Sequence, residues 1–278
     1  MVKQNPFSIY DFLGYLVPGS TFLYAIVIID YIKECKTFDL PEITTYLGGF
    51  GLDNIFLFVI ISYAVGHLIS FSSSLSVELY ANWRYFYPSK YLLNIEHKGY
   101  WRSAKHWKDI LWRIFIAIGL MPIFLLDFIL GHLLSFKNHF RKPLDRELNK
   151  LVRHKIKILL KRLGVEGVGK HNEKDEYYTD FHRLVTHYAY ETSKQHQSRM
   201  SNYVALYGFL RTLCLIFNLL TWYVFLRVIL WFDFNGESIV LIVSLSITSY
   251  IFFMAFMKFY RRYTLEGFMI ICVNEELK

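Results

Sequence analysis

His187 and Glu191 stand four residues apart, the spacing that puts an imidazole and a carboxylate on one helix face as two possible ligands for a metal ion. A metal centre needs further ligands, and the neighbours do not supply them. His182 lies five residues before His187 and His196 five after Glu191, so both are rotated off that face. Gly164-Val165-Glu166-Gly167-Val168-Gly169-Lys170 has the glycine and lysine spacing of a phosphate-binding loop. His171 replaces the hydroxyl that would hold magnesium, and a helix rather than a strand precedes the motif, so it reads as a flexible joint after a helix end. No GxSxG elbow and no HExxH occurs. The sequence therefore predicts no catalytic residue, no resident metal and no cofactor.

Charge offers more. Lys150, Arg153, Lys157 and Lys161 fall at offsets of three, seven and eleven and form a basic stripe. Such a stripe is either a solvated face, one lying against anionic headgroups at about 1 kcal/mol per basic side chain, or a phosphate-binding surface with aromatic platforms for bases. Tyr177, Tyr178, Phe181, Tyr188 and Tyr190 supply aromatics among Arg183, Lys194 and Arg199. The candidate ligand-binding set is Lys150, Arg153, Lys157, Lys161, Tyr177, Tyr178, Arg183 and Arg199.

A second group is polar within apolar surroundings. Gly66, Ser70 and Ser74 recur every four residues, a spacing of small side chains that lets helices approach closely in lipid. His67, Ser74 and Glu78, at offsets of seven and eleven, lie beside that face, and Arg211 and Asn218 share another. Ionisable groups in mid-membrane cost about 2.5–3.5 kcal/mol and so face a partner or water. Asp127 and Arg211 either pair with each other or line a water-filled path, while Arg227 lies near a helix end and snorkels.

The elements that must carry these residues are membrane helices. The chain has 278 residues, 54% hydrophobic and 19% aromatic, with mean hydropathy +0.27, which is too apolar for a soluble domain needing a polar skin. Lys and Arg outnumber Asp and Glu by 31 to 23, and the net +8 points to an anionic partner. Cys35, Cys214 and Cys272 are too few and too scattered for a disulfide framework or a metal knuckle. Apolar runs long enough to cross a core of about 30 Å fall at 12–32, 55–75, 111–136, 203–232 and 238–257. The first has only Lys3 ahead of it and no small-residue cleavage site, and is expected to be retained.

Orientation follows the excess of Lys and Arg on cytoplasmic flanks. The connection 33–53 holds two bases and four acids, whereas 77–110 holds six bases and 137–202 holds fifteen. The two flanks of 111–136 therefore both look cytoplasmic, and Pro122, Asp127 and His132 interrupt that run. The expected fold class is an all-α polytopic helical membrane protein. It has four transmembrane helices, a re-entrant or in-plane hydrophobic hairpin, a helical cytoplasmic insertion and both termini cytoplasmic. Its segments are a first helix pair (1–80), a basic stretch with the hairpin (81–136), a basic helical cytoplasmic region (137–202), a second pair (203–258) and a cytoplasmic tail (259–278). The competing topology has five full crossings and an external amino terminus.

Within the cytoplasmic region Leu148, Val152, Ile156, Leu159 and Leu163 line one helix face, with Pro143 before its first turn and Gly164 past its last. Phe181, Leu184, Val185 and Tyr188 begin a second amphipathic helix after the acidic stretch 172–180, expected to run unbroken into the span at Tyr203.

Three features together carry a resemblance: Tyr10-Asp11-Phe12-Leu13-Gly14-Tyr15-Leu16-Val17-Pro18-Gly19, the basic helix Arg146–Arg162, and the run 188–211 leading into a membrane helix. The chain resembles the small multipass effectors of bacterial antiviral loci, and among them the membrane effector of Hailong-type defence. The resemblance implies an oligomeric channel of the bacterial inner membrane, kept shut by a bound oligonucleotide and opened when that ligand is lost. It transfers no ligand-binding residue. The expected partners are further copies of the chain, the lipid bilayer, a nucleotide or single-stranded nucleic acid, and a soluble protein encoded nearby. The alternatives are a lipid-acting membrane enzyme using His187 with Glu191 or His67 with Glu78, and a passive anchor that recruits a soluble partner.

Overall fold

The structure, a computed structural model, describes residues 11–35, 52–95, 97, 99–164, 181–231 and 234–277. Every regular element among them is helical, as lipid demands of an open chain, because a helix satisfies its backbone polar groups within its own segment. Helix α1 is Val17–Cys35, preceded by a widened π-turn, Phe12–Leu16. Helix α2, Leu52–Ser73, passes through a second π-turn, Ser74–Glu78, into α3, Leu79–Tyr85, and α4, Pro88–Tyr91, follows. Next come α5, Trp107–Gly119, α6, Met121–Leu126, a third π-turn, Asp127–Leu133, and the single turn α7, Lys137–Phe140. Helices α8, Arg146–Arg162, α9, Phe181–Thr192, α10, Lys194–Trp231, and α11, Gly236–Val273, complete the chain with a short turn at Glu275–Leu277.

Among the described residues, four helices are long and apolar enough to cross a membrane: Phe12–Tyr31, Ile55–Tyr91, Lys194–Trp231 and Gly236–Val273. The apolar run 111–136 is not straight; Trp107–Gly119 and Met121–Leu133 are bent by 89°. At 38 residues each, α10 and α11 are roughly 57 Å long at 1.5 Å per residue, nearly twice the hydrocarbon thickness of about 30 Å. The expected tail at 259–278 is thus largely the continuation of α11. The expected unbroken rod from Phe181 to the membrane is interrupted at Ser193, whose carbonyl accepts from the backbone N–H of His196 and Gln197 at the start of α10.

Contacts divide the chain into two compact units. The first comprises residues 1–78, 117–128 and 208–253. Here α1 and α2 cross so closely that a Cβ on Gly19 would collide with the Ser62 carbonyl, and one on Gly66 with the backbone of Tyr15. The small-residue spacing read from the sequence is used in this way at Gly66. Between α10 and α11, Phe217 stacks on Phe252 at 5.3 Å, and the Ser249 hydroxyl donates to the Cys214 carbonyl at 2.8 Å.

The second unit comprises residues 79–116, 129–207 and 254–278. Asp145 caps α8 by accepting from the Leu148 N–H at 2.8 Å, and Gly164 follows its last turn with φ of 74°, a conformation that glycine takes without strain. The apolar face of α8 buries Val152, Ile156, Leu159 and Leu160 against Leu92, Leu93, Phe181, Val185, Phe268 and Ile271. Leu163, expected on that face, is half exposed, and Leu160 takes its place in the core. The Leu144 N–H donates to the Leu92 carbonyl at 3.1 Å, so the 92–95 turn is tied to the start of α8.

His97 stacks on Phe86 at 4.7 Å, and its Nε2 donates to the Trp83 carbonyl at 2.7 Å. Burial lowers its pKa, and nearby Arg141 and Arg113 add to the shift against the opposing pull of the carbonyl.

Two predictions follow from these contacts. Gly19→Ala and Gly66→Ala each lower the melting temperature in detergent, whereas Gly208→Ala, where a Cβ meets nothing, leaves it unchanged or raises it, alanine being favoured over glycine in a helix by about 1 kcal/mol. Because the folded pKa of His97 is depressed, the neutral ring stabilises the fold above the unfolded value of about 6.5, and that contribution is lost as pH falls through it. The melting temperature should therefore fall between about pH 7.5 and about pH 5.5, and fall less in His97→Gln.

Candidate functional site

The polar residues of the first unit are paired, though not as the sequence suggests. Arg211 on α10 forms an ion pair with Glu78, and its Nε donates to the Ser73 hydroxyl at 3.0 Å. The expected partner of Arg211, Asp127, is fully buried and close enough to Tyr250 to act on it electrostatically. The correction has a local cause: Glu78 ends the π-turn Ser74–Glu78. An extra residue in the turn shifts the phase of everything after it, so the offsets of seven and eleven that grouped Glu78 with His67 do not hold. His67 instead stacks on Tyr15 at 3.6 Å and meets the Tyr63 ring edge-on at 4.6 Å. Ser74 turns its hydroxyl back to the Phe71 carbonyl at 2.6 Å, and Ser70 lends its carbonyl to the Ser73 hydroxyl at 2.7 Å.

Arg227 does not simply snorkel. It pairs with Asp30 on α1, whose carboxylate also accepts from the Tyr223 hydroxyl at 2.6 Å. Asn218 and Trp222, one helical turn apart on α10, both donate to the Gly119 carbonyl at 2.8 Å. That carbonyl stands where α5 ends and the chain bends, and such an orphaned acceptor in an apolar setting needs a side-chain donor. Asn218 is thus a brace for the bend between the two helices.

In the second unit the basic stripe is divided in its use. Lys150 is exposed and bonds Glu147 one turn earlier at 3.0 Å. Arg153 turns inward: its Nη2 donates to the Leu93 carbonyl at 2.5 Å and its Nε to Asn149 at 2.7 Å. It holds the 92–95 turn and does not present its fork to solvent with the others. Lys157 is half buried and Lys161 exposed. Arg183 is exposed, and Arg199 lies 3.6 Å from Glu266, which also accepts from His196 Nδ1 at 2.7 Å. Tyr177 and Tyr178, the glycine-rich motif after Gly164 and the acidic stretch 172–180 lie outside the described residues. His187 and Glu191 are both exposed, and among the described residues no group of three His, Cys, Asp or Glu is arranged to hold a metal ion.

Three participants escaped the sequence reading. Asp30 is a lone acid in an apolar run, a signal of the same kind that singled out Asp127. Tyr223 gains its role only through that acid. Arg113 lies inside the hydrophobic run 111–136 yet is buried. Its Nη1 donates to the Tyr100 carbonyl and, at 2.8 Å, to the Ser103 hydroxyl, while the guanidinium lies 4.8 Å from the Trp83 ring. Tyr100 returns a bond from its hydroxyl to the Arg113 carbonyl at 2.8 Å, and burial pushes the phenol up to about 12 against the opposing pull of Arg113.

Comparison with protein-family models, with curated proteins and with solved structures finds no match for this chain.

Among the described residues, Arg211–Glu78 is the best shielded ion pair, with 12% and 27% of the two side chains exposed. Arg211→Met or Glu78→Leu alone should destabilise the fold by about 3–5 kcal/mol, because the surviving charge is left unpaired, and the double variant should recover most of that loss. A double-mutant cycle on unfolding in detergent measures this. Additive effects of the two single changes would mean that the residues are not coupled.

Proposed function

We propose that this chain is a channel-type membrane effector, assembled from several copies and governed by a nucleotide or single-stranded oligonucleotide on its basic cytoplasmic surface. The observation that carries this reading is the continuity of α10 and α11. Helix α10 bears Arg211 and Arg227, paired in the first unit, and also His196 and Arg199, which meet Glu266 in the second. A ligand that shifts the α10–α11 contact at Glu266 would thus act on the same helix that carries the intramembrane ion pairs. Lys150, Lys157, Lys161, Arg183 and Arg199 are the residues assigned to phosphate contacts, with Arg153 withdrawn to the interior.

The charge bias of the flanks supports both termini being cytoplasmic, and the resemblance to membrane effectors of antiviral loci supports a bacterial inner membrane location. Four crossings from one chain enclose no wide pore, so conduction requires a homo-oligomer. Control requires differential affinity: moving from about one part open in a hundred to about ninety-nine takes about 5.5 kcal/mol, within reach of several phosphate contacts per subunit.

The test combines binding with flux. Purified protein should bind short single strands with an affinity whose logarithm falls against log salt by about 0.7 per phosphate engaged. Lys157→Glu with Lys161→Glu should weaken that binding, and the ligand should change ion flux through protein-containing liposomes. A protein that binds no strand and passes no ions in any ligand state would be a passive anchor instead.

A further inference from the structure

The second unit contains a cavity of about 210 Å³ that none of the residues discussed so far as ligand contacts occupies. Its polar lining is Lys137, Arg141, Asn94 and Asn138. We infer that this cavity is a binding pocket for a phosphate ester, gripped between the Lys137 ammonium and the Arg141 guanidinium. The inference does not depend on the chain being a channel.

The first support is the absence of an acid. The Arg141 guanidinium lies 5.9 Å from the centroid of the Tyr91 ring, and the groups that act on it electrostatically are Tyr91 and Tyr85, neither an anion at neutral pH. Lys137 contacts His132 Nδ1 at 3.5 Å. Among the described residues no carboxylate pairs with either cation. Burial lowers the pKa of Arg141, and no acid among the described residues relieves that desolvation. Two cations lining one cavity without a counter-charge favour an anion from outside.

The second support is shape and donor type. Arg141 offers a planar fork, Lys137 a point charge, and Asn94 and Asn138 amide N–H groups, a donor set matched to several oxygens of one tetrahedral centre. A carboxylate would neutralise one of the two positive charges, whereas a phosphate monoester carries between one and two negative charges near neutral pH. Tyr91 fixes one wall, its hydroxyl donating to the Phe140 carbonyl at 3.3 Å. Ile95 and Pro143 add apolar surface for the organic part of an ester. Asn94 holds φ of 58°, a conformation that asparagine tolerates better than most residues. A lipid headgroup and a soluble nucleotide share the chemistry this pocket selects.

Thermal unfolding of the full-length protein in phosphate-free detergent tests the assignment, with adenosine monophosphate, dihexanoyl phosphatidic acid and, at equal ionic strength, acetate as probes. A phosphorylated probe should raise the melting temperature saturably and acetate should not. Lys137→Gln and Arg141→Gln should each weaken the apparent affinity by about tenfold or more, while Lys108→Gln, at an exposed lysine outside that lining, leaves it unchanged. Should Arg141→Gln fail to fold, Arg141→Lys, which keeps the charge and loses the fork, should give an intermediate affinity. A stronger response to phosphatidic acid assigns the pocket to a lipid headgroup, and a stronger response to adenosine monophosphate assigns it to a soluble ester. The inference is overturned if acetate matches the phosphorylated probes, if no probe shifts the melting temperature, or if the pocket variants respond as the unmodified protein does.

Discussion

Inside hydrocarbon there is no water to accept a stray proton donor or to solvate a charge, and the first unit is organised around that scarcity. Arg211 meets Glu78 and Ser73, Arg227 meets Asp30, and the carbonyl stranded at the end of α5 is held by Asn218 and Trp222. Each contact joins segments far apart in the chain, so the requirement for partners also fixes which helices are neighbours. The closeness of α1 and α2 at Gly19 and Gly66 works differently: it needs no polar partner, only the absence of side chains where two backbones meet.

The architecture was largely legible in the sequence because apolar length is a property of a single segment. The four long helices coincide with apolar runs, and the interruption at Pro122 coincides with a bent pair. The same holds for α8, where periodicity, Pro143 and Gly164 delimit a helix that begins at the Asp145 cap and ends at the glycine's left-handed turn. Ser193 carries no comparable signal, being neither proline nor glycine, and the rod expected across it is two helices.

Pairing was not legible, for two physical reasons. Face arithmetic assumes 100° per residue, and the π-turn at Ser74–Glu78 alters the phase just before the acid that matters. Partner choice also depends on which of several acids a given arginine can reach once the helices have packed; Asp127, Asp30 and Glu78 are equivalent as letters. The basic stripe shows the same limit in the second unit. Arg153 shares its spacing with Lys150, Lys157 and Lys161, yet the carbonyl of Leu93 lies beneath it and draws it inward. Lys137 and Arg141, which carry no pattern of their own, end up lining the same cavity.

The corner at Gly119 has an optical consequence. Its carbonyl is shared by an amide and an indole, and the indole belongs to Trp222. Straightening the chain at Leu120 would pull that acceptor away and leave the ring nitrogen without it. Since indole emission responds to its hydrogen-bonding surroundings, the protein carries at this corner a built-in fluorophore whose emission responds to whether the bend is kept or drawn out.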